Sequence, residues 1–203
     1  MKYNPKVSAN CNSPQHHRRS IRLKGYDYSQ SGLYFITICC QNRAHLFGEI
    51  IDGEMVLNEA GRIAFDTWQE TEQIRDNCKI HEFVIMPNHI HGIIEITHSK
   101  GSEASVGKFK SPKQTIGSIV RGFKISTIKR IKELICTGEL QFAPTIESLD
   151  FKIWQRNYWE RIIRDECEHF RLAEYIINNP KQWENDKLRV RANSNSPHNG
   201  KCE

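Results

Sequence analysis

The apolar positions along the chain follow two periods, and each period predicts a different kind of element. Strand-like segments are rich in β-branched and aromatic residues, and they lie at residues 33–41, 79–86, 89–97 and 151–158. The last of these is predicted as a short strand or an extended piece. Residues 48–57 predict a hairpin, because Asp52-Gly53 is a residue pair that tight β-turns favour.

Three other segments have the 3.6-residue period of an amphipathic helix, at residues 58–75, 112–134 and 165–179. Asn58 is the predicted N-cap of the first helix. Asp165 caps the last helix, where Glu168 completes a pair similar to a capping box and Pro180 marks the end. Strands mixed with two or three helices predict an α+β sandwich, in which an antiparallel sheet carries its helices on one face.

The composition is that of one globular domain. The chain has 203 residues, of which 38% are hydrophobic and 26% are charged, and this excludes collagen-like, fully disordered and mini-protein classes. The N-terminal arm, residues 1–17, and the C-terminal tail, residues 185–203, are polar, and we expect both to be disordered. Residues 18–184 are therefore the predicted domain.

Neither a membrane nor an oxidising compartment is indicated. The longest nearly apolar run, residues 33–40, is far shorter than the roughly 20 residues of a membrane-spanning helix, and the N-terminus lacks the apolar core of a secretory signal. The seven cysteines include no Cys-x-x-Cys pair, which favours reduced thiols over disulfides or a cysteine-based zinc site. We expect a cytoplasmic protein.

The positive charge is concentrated in two places, although the net charge is only +5. Residues 1–26 and 107–132 both carry several Lys and Arg side chains and no Asp or Glu. Such segments attract polyanions such as nucleic acid, and the attraction weakens with salt. A solvated protein surface explains them equally well.

The candidate chemistry lies in the strand at residues 89–97 and in the last helix. His89 and His91 share one face of the strand, with Cα atoms about 6.5 Å apart, so both imidazoles could bind one divalent metal. They could also be two half-exposed histidines without a ligand. Tyr175 and Asn179 lie one turn apart, and an amide oxygen suits Mg²⁺ or Mn²⁺. The alternative is that Tyr175 packs at the core edge and Asn179 helps to end the helix.

Four blocks make the sequence similar to a known family: PNHIHG at 87–92, IGSIVRGFK at 116–124, WQRNY at 154–158 and EYIINNP at 174–180. Together they resemble the IS200-like Y1 transposases, and among these the REP-associated tyrosine transposases of bacteria. The resemblance extends from about Arg18 to Trp183. It implies a ferredoxin-like fold of the HUH endonuclease type, a Mg²⁺ or Mn²⁺ ion held by His89, His91 and Asn179, and Tyr175 as the nucleophile.

The activity that the resemblance implies is cleavage and rejoining of single-stranded DNA near hairpins, through a 5′-phosphotyrosine intermediate. Relatives act as monomers or as homodimers, and the sequence does not decide between these states. We expect hairpin DNA to contact basic and aromatic side chains, namely Arg18, Arg19, Arg22, Lys24, Arg121, Lys124, Lys129, Arg130, Trp154 and Arg156. Tyr158 and Trp159 are further candidates for base stacking, although all three aromatics could instead belong to the core.

Two other functions remain open from the sequence. One is a domesticated relative that binds hairpin DNA without cleaving it, and the other is an unrelated metallohydrolase that would leave Tyr175 and both basic segments unused. Since only neutral imidazole binds a metal, the ordinary pKa of histidine predicts that cleavage declines as the pH falls through about 6.

Overall fold

The computed structural model describes residues 26–98, 115–138, 146 and 150–189. The predicted arm and the candidate DNA contacts Arg18, Arg19, Arg22 and Lys24 lie outside the described residues. At the other end, the folded chain continues past the predicted boundary at residue 184 and reaches residue 189. That extension supplies a residue of the candidate site.

The described chain contains six strands and three α-helices. In chain order they are β1 (Gly32–Cys39), β2 (Gly48–Ile51), β3 (Glu54–Leu57), α1 (Glu59–Ile74), β4 (Cys78–Met86), β5 (His89–Ile96), α2 (Ile116–Thr137), β6 (Trp159–Ile163) and α3 (Glu166–Asn178). A 3-10 helix, Pro180–Asn185, follows α3. None of the helices in these ranges is both long and apolar enough to span a membrane.

The main sheet has the strand order β4-β5-β1-β6, and all of its neighbouring strands are antiparallel. Strands and helices alternate as β1-α1-β4-β5-α2-β6, which is the β-α-β-β-α-β arrangement of ferredoxin-like folds. The prediction of an α+β fold with an antiparallel sheet is therefore confirmed. Strands β1 and β5 lie at the centre, so each of them has a neighbouring strand along both of its edges.

Local signals in the sequence set most of the element boundaries. The β2-β3 hairpin turns at Asp52 and Gly53, whose φ angles of 52° and 79° are those of a left-handed turn. Asn58 caps α1 by accepting a hydrogen bond from the backbone N–H of Gly61 at 2.9 Å. Helix α2 begins later than predicted, because Thr115 and Ser118 form a reciprocal capping box there.

The helices occupy both faces of the sheet. Helices α1 and α2 cover the larger apolar layer, where Ile90 and Ile94 of β5 pack with Trp68. Helix α3 covers the other face, where Ile93 packs against Leu172. The predicted single helical layer is thus correct for α1 and α2 only. The reason lies in β5, where Ile90 and Ile94 point to one face of the sheet and Ile93 to the other. Both faces therefore carry apolar side chains that must be covered.

Residues 151–158 form no strand of the sheet, and Phe151 has the left-handed φ of 53°. The edge strands of the sheet are β4 and β6, and β6 begins at Trp159. The segment makes one isolated bridge, between Trp154 and Cys40. The Trp154 side chain is buried in the main core, with its ring centroid 5.0 Å from that of Phe47 and 5.4 Å from that of Phe123. Trp154 is therefore a core residue, and its predicted role in stacking on DNA bases is wrong.

Gly92, which ends the PNHIHG block, allows α1 to pack closely on β5. A Cβ atom at this position would lie 2.7 Å from Cζ2 of Trp68 and 3.1 Å from Cβ of Phe83. We expect Gly92→Ala to lower the free energy of unfolding by about 1–3 kcal/mol, because the core would be overpacked. Urea denaturation followed by tryptophan fluorescence measures this change. The penalty should shrink in a Trp68→Phe background, and an unchanged denaturation midpoint in Gly92→Ala would contradict the packing argument.

Candidate active site

His91 is held in place by residues of the neighbouring strand β1. It pairs directly with Thr37, and its Nδ1 lies 2.8 Å from the Thr37 hydroxyl. The ring of Phe35 stacks on the imidazole at a centroid distance of 5.3 Å. The other ring nitrogen, Nε2, faces α3 and lies 3.3 Å from the hydroxyl oxygen of Tyr175. The sheet thus fixes one edge of the imidazole and leaves the other available.

His89 is oriented by the residue before it. Its Nδ1 lies 2.8 Å from the side-chain oxygen of Asn88, and since an amide oxygen only accepts hydrogen bonds, Nδ1 carries the proton and Nε2 carries a lone pair. The amide nitrogen of Asn88 donates to the backbone carbonyls of Leu188, at 3.1 Å, and Arg43, at 3.3 Å. Asn88 therefore sets the tautomer of His89 and also fastens the segment after α3 to the site.

The segment after α3 folds back over His89. Trp183, in the 3-10 helix Pro180–Asn185, is buried with its ring centroid 6.2 Å from that of His89 and 5.5 Å from that of His45. This places the carboxylate of Asp186 beside the histidines, with Oδ2 located 3.6 Å from Nε2 of His89. The Asp186 side chain is only 5% exposed. The composition predicts a disordered tail at Asp186, yet this residue lies in the site.

Three buried atoms at this point lack a hydrogen-bond partner among the described residues: Nε2 of His89, Oδ1 of Asn179 and Oδ2 of Asp186. Each of them offers a lone pair and none offers a proton, so burying them together is unfavourable unless a cation lies between them. Ligand atoms of His89, His91 and Asp186 all lie within 4.8 Å of one another. Two imidazoles with carboxylate and amide oxygens form a donor set that suits a divalent metal, so the residues present fit the predicted ion.

Burial also favours the protonation states that such a site requires. It lowers the pKa of His91 to about 3, and it lowers the pKa of His89 well below the usual value, with a smaller contribution from the neighbouring His91. Both imidazoles are therefore neutral at pH 7, which is the form that binds a metal. Burial raises the pKa of the Tyr175 phenol, and the negative charge of Asp186 raises it further.

Tyr175 lies at the rim of this buried cluster. Its side chain is still 38% exposed, whereas His89, His91 and Asn179 are almost fully buried. Asn179 lies one helical turn after Tyr175, and its side chain acts on the pKa of the Tyr175 phenol in the opposite direction, lowering it. A reacting group can thus approach the phenol from solvent, while Nε2 of His91 lies 3.3 Å from the phenol oxygen on the buried side.

The predicted DNA contacts that lie within the described residues differ in their availability. Arg121, Lys129 and Arg156 are exposed. The Lys124 ammonium instead donates to three backbone carbonyls, those of residues 155, 156 and 157, at 2.8, 3.3 and 3.3 Å. Arg130 pairs with both carboxylate oxygens of Glu70, at 3.0 and 2.5 Å. The charges of Lys124 and Arg130 are therefore used within the fold.

Sequence reasoning found four of the residues that meet here, His89, His91, Tyr175 and Asn179, and it missed Asp186 and the orienting residue Asn88. The position of Trp183 in the sequence could have revealed Asp186. A large apolar residue after Pro180 indicates that the chain still packs on the domain there, so the residues that follow can reach the site. For Asn88 the signal was weaker, since an Asn after a Pro is typical of an ordinary turn.

The chain was compared with family models, solved structures and curated sequences. No family model matches the chain. The fold is similar to that of a REP-associated tyrosine transposase bound to a REP hairpin, with a TM-score of 0.49 and 18% identity over 80% of this chain and 74% of that one. It is also similar to a Deinococcus radiodurans R1 protein described as "a putative transposase", with a TM-score of 0.42 and 14% identity over 77% of this chain and 95% of that one.

A sequence relative was also found. An uncharacterized protein of Haemophilus influenzae is 45% identical to the chain over 192 residues, which cover 91% of this chain and 99% of that protein. Identity at this level over nearly the full length of both proteins shows common descent, so the chain belongs to the same family as the Haemophilus influenzae protein.

Proposed function

We propose that the chain is a transposase-type enzyme that cleaves and rejoins single-stranded DNA next to hairpins, with Tyr175 as its nucleophile. The observation that carries the proposal is the position of the phenol oxygen, 3.3 Å from Nε2 of His91 and at the rim of a buried cluster of metal-ligand atoms. The resemblance of four sequence blocks to the Y1 transposases supports the same activity. Single-stranded or hairpin DNA is the corresponding partner.

His89, His91, Asn179 and Asp186 are the residues that would hold Mg²⁺ or Mn²⁺. When bound, such an ion neutralises and polarises a phosphodiester that would otherwise repel a nucleophile. The protein's own contribution is to keep both imidazoles neutral by burial and to orient them through Thr37 and Asn88. Metal binding therefore needs no rearrangement of the strand.

The reaction at Tyr175 exchanges one phosphate ester for another. The phenol oxygen forms a bond to phosphorus and loses its proton to solvent, while the bond from phosphorus to the 3′ oxygen breaks and that oxygen takes up a proton. The products are a 5′-phosphotyrosine on the protein and a free 3′-OH strand. Because the ester is retained, a 3′-OH can attack the adduct and rejoin the strands without ATP.

Arg121, Lys129 and Arg156 are the described side chains that we assign to DNA phosphates, because they are exposed. Arg18, Arg19, Arg22 and Lys24 belong to the same proposal on the charge of their segment alone. Each such contact releases counterions, so binding of a hairpin should weaken as salt rises. We do not assign Lys124 and Arg130 to phosphates, because their charged groups hydrogen-bond within the fold.

The direct test of the nucleophile is Tyr175→Phe. We expect the unaltered protein with Mn²⁺ and an end-labelled hairpin DNA to form an adduct that survives denaturation. Tyr175→Phe should form none, because the attacking oxygen is gone, and it should bind the hairpin equally well. Tyr28→Phe, a half-buried tyrosine outside the site, is the matched control. An adduct in Tyr175→Phe would remove the assigned nucleophile, and hairpin binding without any adduct in the unaltered protein would favour the domesticated alternative.

Asp186→Asn tests the residue that the structure adds to the site. The substitution keeps an oxygen ligand and removes its charge, so we expect Mn²⁺ affinity to fall at least about tenfold, the size of effect seen when residues around a metal are altered. Electron paramagnetic resonance of free Mn²⁺ measures the affinity. Asp52→Asn is the control, because Asp52 is exposed at a hairpin turn whose φ of 52° also suits Asn. Equal affinities in both variants would exclude Asp186 as a ligand.

The lowered histidine pKa values change the expected pH dependence. Because burial stabilises the neutral form, both imidazoles remain free of protons as the pH falls through about 6, and the decline expected from ordinary histidines moves to lower pH. We predict that Mn²⁺ affinity is nearly constant between about pH 8 and pH 6. The same resonance titration at several pH values measures it. A loss of about tenfold or more per pH unit in this range would show that ligands with ordinary pKa values bind the ion.

A further inference from the structure

A second cluster of ligand-type side chains lies on the same face of the sheet, and it originates in an irregularity of β4. The pairing of β4 with β5 shifts between Ile80 and Phe83. Both of these residues pack with the α1 and α2 layer, whereas regular alternation would put them on opposite faces. The two residues between them, His81 and Glu82, therefore form a bulge in which neighbouring side chains both point toward α3.

Helix α3 presents His169 to this bulge. Nε2 of His169 lies 3.5 Å from Oε2 of Glu82, and the His169 and His81 ring centroids lie 5.6 Å apart. Both of these atoms, Glu82 Oε2 and His169 Nε2, are buried and have no hydrogen-bond partner in the part of the chain that the structure describes. Ligand atoms of His81, Glu82 and His169 all lie within 4.8 Å of one another.

The neighbouring strand supports the orientation of His81. Nε2 of His81 lies 2.9 Å from a carboxylate oxygen of Glu95 on β5. A carboxylate accepting from one ring nitrogen leaves the other, Nδ1, with the lone pair, and this is the arrangement commonly found behind metal-binding histidines. The cluster thus combines two imidazoles and one carboxylate with a carboxylate partner behind one of the imidazoles.

We propose that His81, Glu82 and His169 form a second divalent-metal site, of the zinc-binding class, which clamps α3 to β4. Two imidazole nitrogens and one carboxylate oxygen are a ligand set that zinc uses with a fourth position left to water. The site is separate from the one at His89, because Glu95, the hydrogen-bond partner of His81, lies near the opposite end of β5 from His89. Its ligands join the sheet to the helix that carries Tyr175 six residues after His169. Occupancy would therefore fix the position of the nucleophile's helix without contacting DNA.

The test is zinc stoichiometry by calorimetry on the full chain after chelator treatment. We expect His169→Gln and Glu82→Gln each to bind one equivalent of Zn²⁺ fewer than the unaltered protein. His98→Gln, at an exposed histidine outside the cluster, should bind the same number. His91→Gln should keep the equivalent that His169→Gln loses, since the two sites are independent. Circular dichroism establishes that each variant is folded, and two cluster variants are used so that misfolding of one does not decide the result.

The rival arrangement is a pair of ordinary ion pairs, His81 with Glu95 and His169 with Glu82, that hold no metal. It predicts identical zinc stoichiometry in the unaltered protein, His169→Gln and Glu82→Gln, and that result would overturn the proposal. Equal losses in His98→Gln and His169→Gln would overturn it as well, because they would indicate unspecific binding to surface histidines. The measurement requires no DNA, so its outcome is independent of whether Tyr175 is the nucleophile.

Discussion

Strand β5 divides its side chains between two layers of the protein, and the candidate site depends on that division. Ile90 and Ile94 pack in the main core, while His89 and His91 point to the face covered by α3. A shift of one residue in the register of β5 would exchange these two sets and bury both imidazoles in an apolar layer. Gly92 helps to prevent such a shift, because its neighbours leave no room for a side chain at that position.

The second constraint is the cost of burying lone pairs without donors. Each unsatisfied acceptor among His89, Asn179 and Asp186 costs about 1–3 kcal/mol in the absence of a cation. A bound divalent ion would remove that cost, and metal binding would then be energetically linked to the folding of the segment after α3. Asn88 connects the metal-ligand residue His89 to the segment after α3, since its side chain hydrogen-bonds to both His89 and the backbone of Leu188.

The sequence predicts the local elements well because their signals are local. The Asp52-Gly53 turn and the caps Asn58 and Asp165 all form as expected. The face on which α3 packs is a tertiary property, and the period of a helix does not specify it. The same limit applies to charge, because the printed sequence cannot show that Lys124 is hydrogen-bonded internally while Arg121 is exposed.

The site shows the same division between local and tertiary information. His89 and His91 are two residues apart on a strand, so the sequence alone predicts that they share one face of the sheet. Asp186 is separated from them by almost a hundred residues and follows a helix end, so its arrival depends on the packing of Trp183. Composition alone places such a residue in a polar tail. Only the fold shows that Asp186, near the start of that polar segment, lies beside His89.

We propose that one cation binds between the two imidazoles and the end of α3, beside the Tyr175 oxygen. Anomalous diffraction at the manganese absorption edge, from crystals of the full chain grown with Mn²⁺, would locate such an ion. We expect a single strong peak bounded by His89, His91 and Asp186, with the Tyr175 hydroxyl adjacent to it. Ordered His89 and His91 without a peak between them, or a peak with the Tyr175 ring turned away from it, would show that no cation joins the histidines to the nucleophile.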